Sequence, residues 1–266
     1  MKIMIIGGTG FIGSHLCNHL VTKKHHLVNI NRSIDVLKRD LLFTFLKEQN
    51  PDVLINCLSY GGKENFISDS LVYAANNLEL FTNIFKSSKY FKKFINIGSG
   101  SEIVDSNYVA ENWIWKDCPV TSSYAMSKNI IARICEGIDH FYTLRLFGCF
   151  GKGEPSFRIF SKYKNSFESN TPLELRNKFF DNFFVEDFCT VVEHFVSYNH
   201  AIKDMNCVYK NKLTLSHQLD LMSSIHGWKT NYKIIDNDKN YTGNSDNLDS
   251  LNLDLKGLDY GLRTYK

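Results

Sequence analysis

The sequence lacks the features that mark several specialised classes of protein. Its 7 cysteines are an odd number with no CxxC pair, so neither a disulfide framework nor a zinc knuckle is encoded. No apolar run reaches the roughly 18 to 20 residues of a membrane span. Glycine interrupts the apolar start at 1–6 before it could form a signal-peptide core. We therefore expect a cytoplasmic protein with no membrane partner.

The chain also lacks an excess of charge of either sign. Lysine and arginine number 31 and aspartate and glutamate 28, so the formal net charge is +3, too weak and scattered for nucleic-acid binding. No two of the 9 histidines have the carboxylate spacing of a metal site, so no metal is expected. With 266 residues, 43% of them hydrophobic, the chain predicts one globular domain with an appended lobe.

Apolar runs of strand length alternate with longer helical patterns through the first half of the chain. This alternation predicts an α/β fold with a doubly wound parallel sheet of Rossmann type, whose near-continuous apolar strands, such as VLINCL, are buried on both faces. The predicted strands are 2–6, 27–31, 53–58, 94–98 and 142–147, and the predicted helices are 11–22, 34–49, 70–88, 123–137 and 185–197.

The regular alternation ends after Gly151. The segment that follows favours loops and short helices, and 236–254 is crowded with Asn and Asp, which favour turns. We predict two units from this change of pattern. The predicted boundaries are 1–150 for an NADP-binding Rossmann domain to which 180–200 returns, and 151–179 with 201–266 for a small C-terminal substrate lobe.

A glycine-rich loop in KIMIIGGTGFIGSHL separates the first predicted strand from the first predicted helix. Gly7 permits a tight turn, Gly10 lets the backbone approach a pyrophosphate, and Gly13 lets helix and strand pack closely. Free N–H groups at the helix N-terminus would hold the anion. The loop predicts a dinucleotide site rather than an ordinary turn. Its other cofactor-binding positions are Thr9, Phe11 and Ile12.

The end of the second predicted strand, VNINRS, predicts which dinucleotide binds. An acidic residue there would hydrogen-bond the ribose 2′-hydroxyl of NAD. Here Asn31 is neutral and Arg32 is cationic, so a 2′-phosphate would be attracted. We therefore expect NADP(H). The alternative is that Arg32 is only a solvated loop residue.

A tyrosine and a lysine stand four residues apart in SSYAMSKNI, at the start of a predicted helix. Tyr124 and Lys128 therefore project from one face, and an ammonium beside a phenol makes the phenol a usable proton donor and acceptor. Such a pair alone is more often structural than catalytic. Ser99 favours the catalytic interpretation, because it ends a predicted strand of the sheet and the ends of such strands face the cofactor.

Several segments together resemble a known family. They are the opening GGTGFIG, the strand end at Ser99, the pentad YAMSK with its spacing from that serine, and LRLFGCFGKG. They resemble the extended short-chain dehydrogenase/reductases, in the branch of NAD(P)-dependent nucleotide-sugar epimerases, dehydratases and reductases. Asp181 and the VED at 185–187 are similar to the family's RDF..V.D element, and the resemblance ends near 261–263, so it covers nearly the whole chain.

The resemblance implies roles for individual residues. Ser99 would orient the substrate carbonyl, Tyr124 would be the general acid/base, and Lys128 would bind the nicotinamide ribose. It also implies further cofactor contacts. These are Asp40 and Leu41 at the adenine, Leu58, Ser59 and Tyr60 in the loop after the third strand, and Asn77 on a helix.

The resemblance also implies a substrate side of the cleft. Ser101 competes with Ser99, although it lies two residues nearer the tyrosine. Gly148 stands where many epimerases have an asparagine that touches the diphosphate, so phosphate recognition must differ. Arg158 could take over that role together with Lys152, Lys162 and Lys164, or these cations form a solvated basic face.

Two departures from the family pattern reduce the number of reactions that the chain is expected to catalyse. Sugar 4,6-dehydratases of the family carry an Asp-Glu pair directly after the Ser/Thr, and reductases that also epimerise carry a Cys there, whereas Gly100 and Ser101 follow here. The expected function is NADPH-dependent reduction of a nucleotide-activated keto sugar, a 4-keto-6-deoxyhexose, for surface polysaccharides. This resembles the small 4-ketoreductases of deoxysugar biosynthesis.

Two other functions stay open. A nucleotide-sugar 4-epimerase would use the same three residues with a bound NAD, and a non-catalytic NADP-binding regulator would share the fold. Many relatives dimerise through a four-helix interface, so the resemblance also implies a homodimer.

Overall fold

The structure is a computed structural model, and it describes residues 1–30, 34–61, 70–103, 122–229 and 231–265. The strands are β1 (Lys2–Ile6), β2 (His26–Ile30), β3 (Val53–Asn56), β4 (Lys93–Ser99), β5 (Phe141–Leu146), β6 (Gly148–Phe150), β7 (Leu173–Asn177), β8 (Asn182–Phe184), β9 (Asp204–Cys207) and β10 (Tyr232–Asn237). The helices are α1 (Phe11–Thr22), α2 (Arg39–Gln49), α3 (Leu71–Lys86), α4 (Ser123–Glu136), α5 (Ile159–Glu168), α6 (Val185–Ser197), α7 (Leu215–His226), α8 (Asp246–Ser250) and α9 (Gly257–Arg263). Within those ranges, no helix has the length and apolar character to span a bilayer.

Six strands form one parallel sheet in the order β2-β1-β3-β4-β5-β9. Its strands send alternate side chains to opposite faces. In β1, Ile3 and Ile5 pack with α1 and α6, whereas Met4 and Ile6 pack with α2, α3 and α4. Helices therefore cover both faces, which confirms the predicted doubly wound fold.

A buried lysine fixes helix α6 to the strand that ends at Ser99. The ammonium of Lys93, in β4, donates to the backbone oxygens of Phe195 and Tyr198 at 2.6 Å and of Val196 at 3.2 Å. Burial lowers the pKa of Lys93, and the carbonyls at the end of a helix are favourable partners for a cation. The contact holds the first residue of β4 against the end of its covering helix, at the opposite end of the strand from Ser99.

Two element boundaries differ from the sequence prediction because short polar side chains make local turns. Helix α2 begins at Arg39 rather than at 34, since the Asp35 carboxylate accepts the N–H of Leu37 at 3.1 Å and holds a turn. Strand β3 ends at Asn56 rather than at 58, since its side-chain oxygen accepts the N–H of Leu58 at 3.2 Å. Such side-chain bonds compete with helix and sheet.

The C-terminal lobe contains more regular structure than its sequence predicts. Strands β7 and β10 form a two-stranded parallel sheet, and β6 and β8, outside the predicted range of the lobe, form another. The boundary also differs from the predicted one. We assigned all of 201–266 to the lobe, but β9 pairs with β5 at the edge of the main sheet, so the lobe resumes after Cys207. The short sequence DMNC lacks the apolar run of an inner strand.

Candidate active site

The glycine-rich loop has a geometry that only glycine allows. Gly7 has a φ of +80°, and a Cβ there would lie 2.8 Å from the backbone nitrogen of Leu58. A Cβ on Gly13 would lie 2.2 Å from the carbonyl oxygen of Gly7. The loop therefore packs directly against the chain after β3 and against the start of α1. This leaves an open cradle of backbone at the helix N-terminus.

The loop borders a cleft of about 760 Å³ that gathers most of the predicted cofactor-binding residues. Those residues are Gly7, Thr9, Gly10, Phe11, Ile12, Gly13, Leu58, Ser59 and Tyr60. Two polar atoms on the wall of this cleft, Ser59 Oγ and Arg158 Nε, are buried and have no hydrogen-bond partner among the described residues. A polar ligand in the cleft would supply those partners. The cradle and these atoms together fit a dinucleotide.

Asn77 acts on this cleft through the loop after β3. It is buried, its side-chain oxygen accepts the N–H of Tyr60 at 2.8 Å, and its side-chain nitrogen lies 3.4 Å from the carbonyl oxygen of the same residue. The resemblance implied a cofactor contact for Asn77. The structure shows a bond that fixes Tyr60, which itself lines the cleft.

The adenine end of the cleft differs from expectation. Asp40 and Leu41 lie exposed in the first turn of α2, and the side of the cleft next to β2 is lined instead by hydrophobic residues and Asp35. Asp35 was not anticipated, because it follows the predicted strand by several residues. Asn31 and Arg32, which predicted the choice of NADP(H), lie outside the described residues.

The three predicted catalytic residues line one cavity of about 450 Å³. Ser99 ends β4, and Tyr124 and Lys128 stand on the first two turns of α4. The Lys128 ammonium is buried, donates to the carbonyl oxygen of Ile97 at 3.0 Å and lies 6.0 Å from the centre of the Tyr124 ring. Ser122 caps the helix, since its hydroxyl accepts the N–H of Ala125 at 3.1 Å.

Both candidate serines face this cavity. The hydroxyl oxygens of Ser99 and Ser101 lie 2.8 Å apart, and the Ser99 hydroxyl also accepts the N–H of Ser101 at 3.3 Å. Ser99 thereby caps the short 3₁₀ turn Gly100–Glu102. The two hydroxyls are hydrogen-bonded to each other. The sequence spacing to Tyr124 favours Ser99, but in the structure both hydroxyls lie at the same place on the cavity wall.

The lobe adds residues that the sequence did not reveal. Tyr241 lines the cavity and shares hydrogen bonds with Ser99 and Ser101, which partly offset the rise in the pKa of Tyr241 caused by burial. Its ring centre lies 5.0 Å from that of Phe147 and 5.2 Å from that of Phe180. Tyr241 is partly buried and lies in the Asn- and Asp-rich segment, which has no periodicity to predict a residue of the cavity wall.

Gly148 and Arg158, which the resemblance assigns to the substrate side of the cleft, lie in different parts of the structure. A Cβ on Gly148, in β6, would lie 2.4 Å from the side-chain oxygen of Asn182, so this glycine allows β6 and β8 to pack. It is not among the described residues that line the catalytic cavity. Arg158 lines both the cavity and the cofactor cleft. Lys178, which was not predicted, also lines the cavity.

The two clefts are continuous. Their shared wall consists of Ile12, Cys57, Leu58, Ser59 and Arg158. A dinucleotide on the glycine-rich loop would therefore lie next to the serine, tyrosine and lysine of the cavity.

Two carboxylates of the segment similar to RDF..V.D attach the lobe to the sheet. Asp181 accepts from the ammonium of Lys212 and from the N–H of Gly243, both at 2.8 Å. Burial raises the pKa of Asp181, and Lys212 opposes this rise. Asp187 accepts the N–H groups of Lys256 and Gly257, both at 2.8 Å. These residues hold the lobe in place.

Comparisons with known proteins agree with this geometry. The model of the NAD dependent epimerase/dehydratase family matches residues 3–206. The chain is 29% identical to the CDP-abequose synthase of Yersinia pseudotuberculosis over 194 residues, 66% of this chain and 65% of that protein. The chain spans about half to two thirds of the length of the first curated relatives it matches.

Solved structures of 18% identity or less share the fold. The GDP-mannoheptose C4 reductase of Campylobacter jejuni, with NADP bound, superposes with a TM-score of 0.80 at 18% identity over 99% of this chain and 96% of that chain. The UDP-glucose 4-epimerase of Thermotoga maritima gives a TM-score of 0.81 at 17% identity over 99% and 97%. The family model covers most of the length that forms the sheet and the catalytic cavity, and the chain belongs to the NAD dependent epimerase/dehydratase family, whose members are NAD(P)-dependent nucleotide-sugar enzymes.

Proposed function

We propose that the protein is an NADPH-dependent reductase of a nucleotide-activated keto sugar, a 4-keto-6-deoxyhexose, in the synthesis of surface polysaccharides. The observation that carries the proposal is the shared cavity. Ser99, Tyr124 and Lys128 face it together, and it shares a wall with the glycine-rich cleft. A carbonyl held there would meet a proton donor on one side and the cofactor on the other.

Three residues of the cavity have separate roles in the proposed carbonyl reduction. When bound, the reduced nicotinamide supplies the hydride. Tyr124 donates its hydroxyl proton to the carbonyl oxygen, so the carbonyl becomes an alcohol. The Ser99 hydroxyl donates a hydrogen bond to the same oxygen and fixes its direction. Lys128 would hold the nicotinamide ribose with its ammonium. The positive charge of this ammonium also stabilises the negative phenolate that forms when Tyr124 gives up its proton.

Cations at the cavity wall are suited to the phosphates of the sugar nucleotide. In the described part of the chain Arg158 Nε is buried without a partner, and the Lys178 ammonium lies 5.7 Å from the centre of the Phe180 ring and 3.0 Å from an oxygen of Asp238. A diphosphate beside them would gain charge-assisted hydrogen bonds. The relative named CDP-abequose synthase supports a sugar-nucleotide substrate of this type.

Two features bear on the choice of cofactor. Arg32 favours a 2′-phosphate by charge, and the C4 reductase structure that shares the fold holds NADP. The Asp35 carboxylate, which lines the cleft beside β2, acts in the opposite direction. Asp35 is exposed, and one of its carboxylate oxygens accepts the N–H of Leu37, so solvent and salt screen its repulsion of a 2′-phosphate.

The second candidate is a nucleotide-sugar 4-epimerase that keeps NAD bound. Asp35 is the observation that favours it, because a carboxylate near the end of β2 is suited to a ribose hydroxyl. A non-catalytic regulator, the third candidate, gives no reason for three catalytic side chains to share one cavity.

One experiment separates these functions. Purified protein is mixed with NADPH and each of a panel of 4-keto-6-deoxy sugar nucleotides, and the nicotinamide absorbance is followed, with Tyr124→Phe as the inactive control. The reductase consumes NADPH with at least one substrate. An epimerase instead interconverts 4-hydroxyl sugar nucleotides with no net change in the absorbance, and a regulator does neither.

We propose further that the protein is a homodimer. Helices α3 and α4 pack against each other and leave large apolar side chains exposed, including Leu71 at 73% and Phe85 at 45% on one face of α3 and Ile134 at 39% on α4. Pairing of these helices with a second copy would bury them. Light scattering on the wild type and on Phe85→Glu tests this, and a monomeric wild type contradicts it.

A further inference from the structure

A completely buried carboxylate lies directly behind the serine of the cavity. Glu102 has 0% of its surface exposed, and one of its oxygens accepts the backbone N–H of Ser99 at 2.6 Å. The other oxygen accepts from the Nε of Arg145 at 2.9 Å, and that arginine is also 0% exposed. An ion pair so deep in the protein is costly to desolvate, and apolar residues of the same volume would often be as stable.

Glu102 also binds the helix that carries the other two catalytic residues. Its backbone oxygen accepts from the side-chain nitrogen of Asn129 at 2.8 Å, and Asn129 directly follows Lys128 in α4. One residue therefore contacts the end of β4, the catalytic helix and β5. The distance between the serine and the tyrosine–lysine pair is fixed at this point.

Arg145 extends the contact toward the lobe. Its Nη1 donates to the side-chain oxygen of Asn206 at 2.8 Å, and the side-chain nitrogen of Asn206 donates to the carbonyl oxygen of Asn244 at 3.1 Å. Asn244 lies in the same lobe segment as Tyr241, which reaches the cavity. On its remaining side Arg145 donates from Nη2 to Asp204 at 2.5 Å. The guanidinium thus has two carboxylate partners, of which only Glu102 contacts Ser99.

We propose that Glu102 and Arg145 are a positioning pair, which sets the place of the Ser99 hydroxyl relative to Tyr124 and Lys128. Neither side chain is among the described residues that line the cavity, so both act through the backbone of Ser99 and through α4. The kinetic consequence rests on the proposed reductase function, whereas the hold on the Ser99 backbone does not. The position of reacting groups affects rate steeply, since a displacement of about 1 Å can cost on the order of a hundredfold.

Two matched substitutions test the pair. Glu102→Gln leaves one acceptor oxygen for two donors, the N–H of Ser99 and the Nε–H of Arg145. The charged guanidinium is the stronger donor and keeps that oxygen, so the bond to the Ser99 N–H is the one expected to be lost. Asp204→Asn removes the same charge from the same guanidinium without touching Ser99. In each variant Arg145 keeps one carboxylate partner, so a buried cation is never left unpaired.

The kinetic readout compares kcat with KM at equal fractions of folded protein. For Glu102→Gln we expect kcat to fall about 10- to 100-fold, with KM for the keto sugar changed less than about twofold because no substrate contact is removed. Asp204→Asn should keep the wild-type kcat. The pair is merely structural, and the proposal is overturned, if both variants lose kcat alike in step with their melting temperatures.

A second readout needs no substrate. Amide hydrogen exchange at Ser99 should be about tenfold faster or more in Glu102→Gln than in the wild type, and unchanged in Asp204→Asn. If the wild type reduces no keto sugar, the proposed function fails, and this exchange measurement still decides the inference. Equal protection of the Ser99 amide in the wild type and Glu102→Gln overturns it.

Discussion

The parallel sheet and the lobe line the same cavity, but they hold their residues in place differently. Ser99 and Lys128 stand on a strand end and a capped helix, in which a continuous series of backbone hydrogen bonds fixes the chain, whereas Tyr241 stands on an isolated bridge outside the helices and strands. Tyr241 stands on a segment joined to Phe179 by the sheet-like bond from its own N–H, at 2.8 Å, and to Asp181 by the bond that its carbonyl accepts, at 3.0 Å. The difference suggests that the sheet carries the reaction and the lobe carries recognition, where side chains can change without disturbing the sheet.

The largest effect is expected on the sheet side. Tyr124→Phe keeps the ring and its packing but removes the proton, so kcat should fall about 10²- to 10⁴-fold with cofactor binding retained. Stopped-flow measurement of nicotinamide oxidation gives the rate, and fluorescence titration gives NADPH affinity. Near-normal turnover in this variant would show that the acid lies elsewhere in the cavity.

The next effect concerns the attachment of the lobe. Asp187→Ala removes the acceptor for the N–H groups of Lys256 and Gly257 and for the Tyr209 hydroxyl, and leaves these partly buried donors unsatisfied. We expect a loss of about 2 to 4 kcal/mol in the free energy of unfolding, measured in urea.

The control for that variant is an exposed carboxylate of the same lobe. Asp259→Ala breaks an exposed pair with Arg263 and should change the free energy of unfolding by less than about 1 kcal/mol. Equal losses in the two variants would mean that Asp187 does not anchor the lobe.

A smaller effect is expected on the choice of cofactor. Arg32→Ala should weaken NADPH binding by about 1.5 to 3 kcal/mol, on the order of tenfold to a hundredfold, and leave NADH nearly unchanged. Asp35→Asn is the matched variant on the same cleft and should strengthen NADPH binding slightly. Isothermal titration of the wild type and both variants with each cofactor measures the six affinities, and equal wild-type affinity for NADPH and NADH contradicts the NADPH assignment.

The smallest effect is expected for the phenol of the lobe. Tyr241→Phe keeps the contacts with Phe147 and Phe180 but removes the hydrogen bonds to the two serines, worth about 1 kcal/mol. The value of kcat/KM should fall several-fold, far less than for Tyr124→Phe. If kcat/KM falls as much as in Tyr124→Phe, Tyr241 takes part in the chemical step. The sheet then does not carry the reaction alone.

The regular half of the molecule was largely predictable because its signals are local. The bounds of β1, α1 and α6 agree with the predicted ranges, since hydrophobic periodicity and the glycine loop are written in consecutive residues. The start of α2 was missed because one carboxylate, Asp35, makes a turn. The edge strand β9 was missed because its DMNC sequence has no apolar run.

The candidate site likewise contains residues that the sequence predicts and residues that it does not. Ser99, Tyr124 and Lys128 were predicted from strand ends, helix spacing and the family resemblance, and the structure brings them to one cavity. Tyr241 and Glu102 were not predicted as parts of the site. Their roles depend on contacts with residues distant in the sequence or on the far side of a strand, and no local pattern encodes such contacts.

The shared wall between the two clefts has a consequence for the order of events in turnover. Because Ile12, Leu58 and Ser59 belong to both clefts, a cofactor bound on the glycine-rich loop would complete the surface against which the proposed keto sugar binds. We expect a compulsory sequence in which the dinucleotide arrives first and departs last. Oxidised cofactor should then inhibit competitively against reduced cofactor but not against the keto sugar.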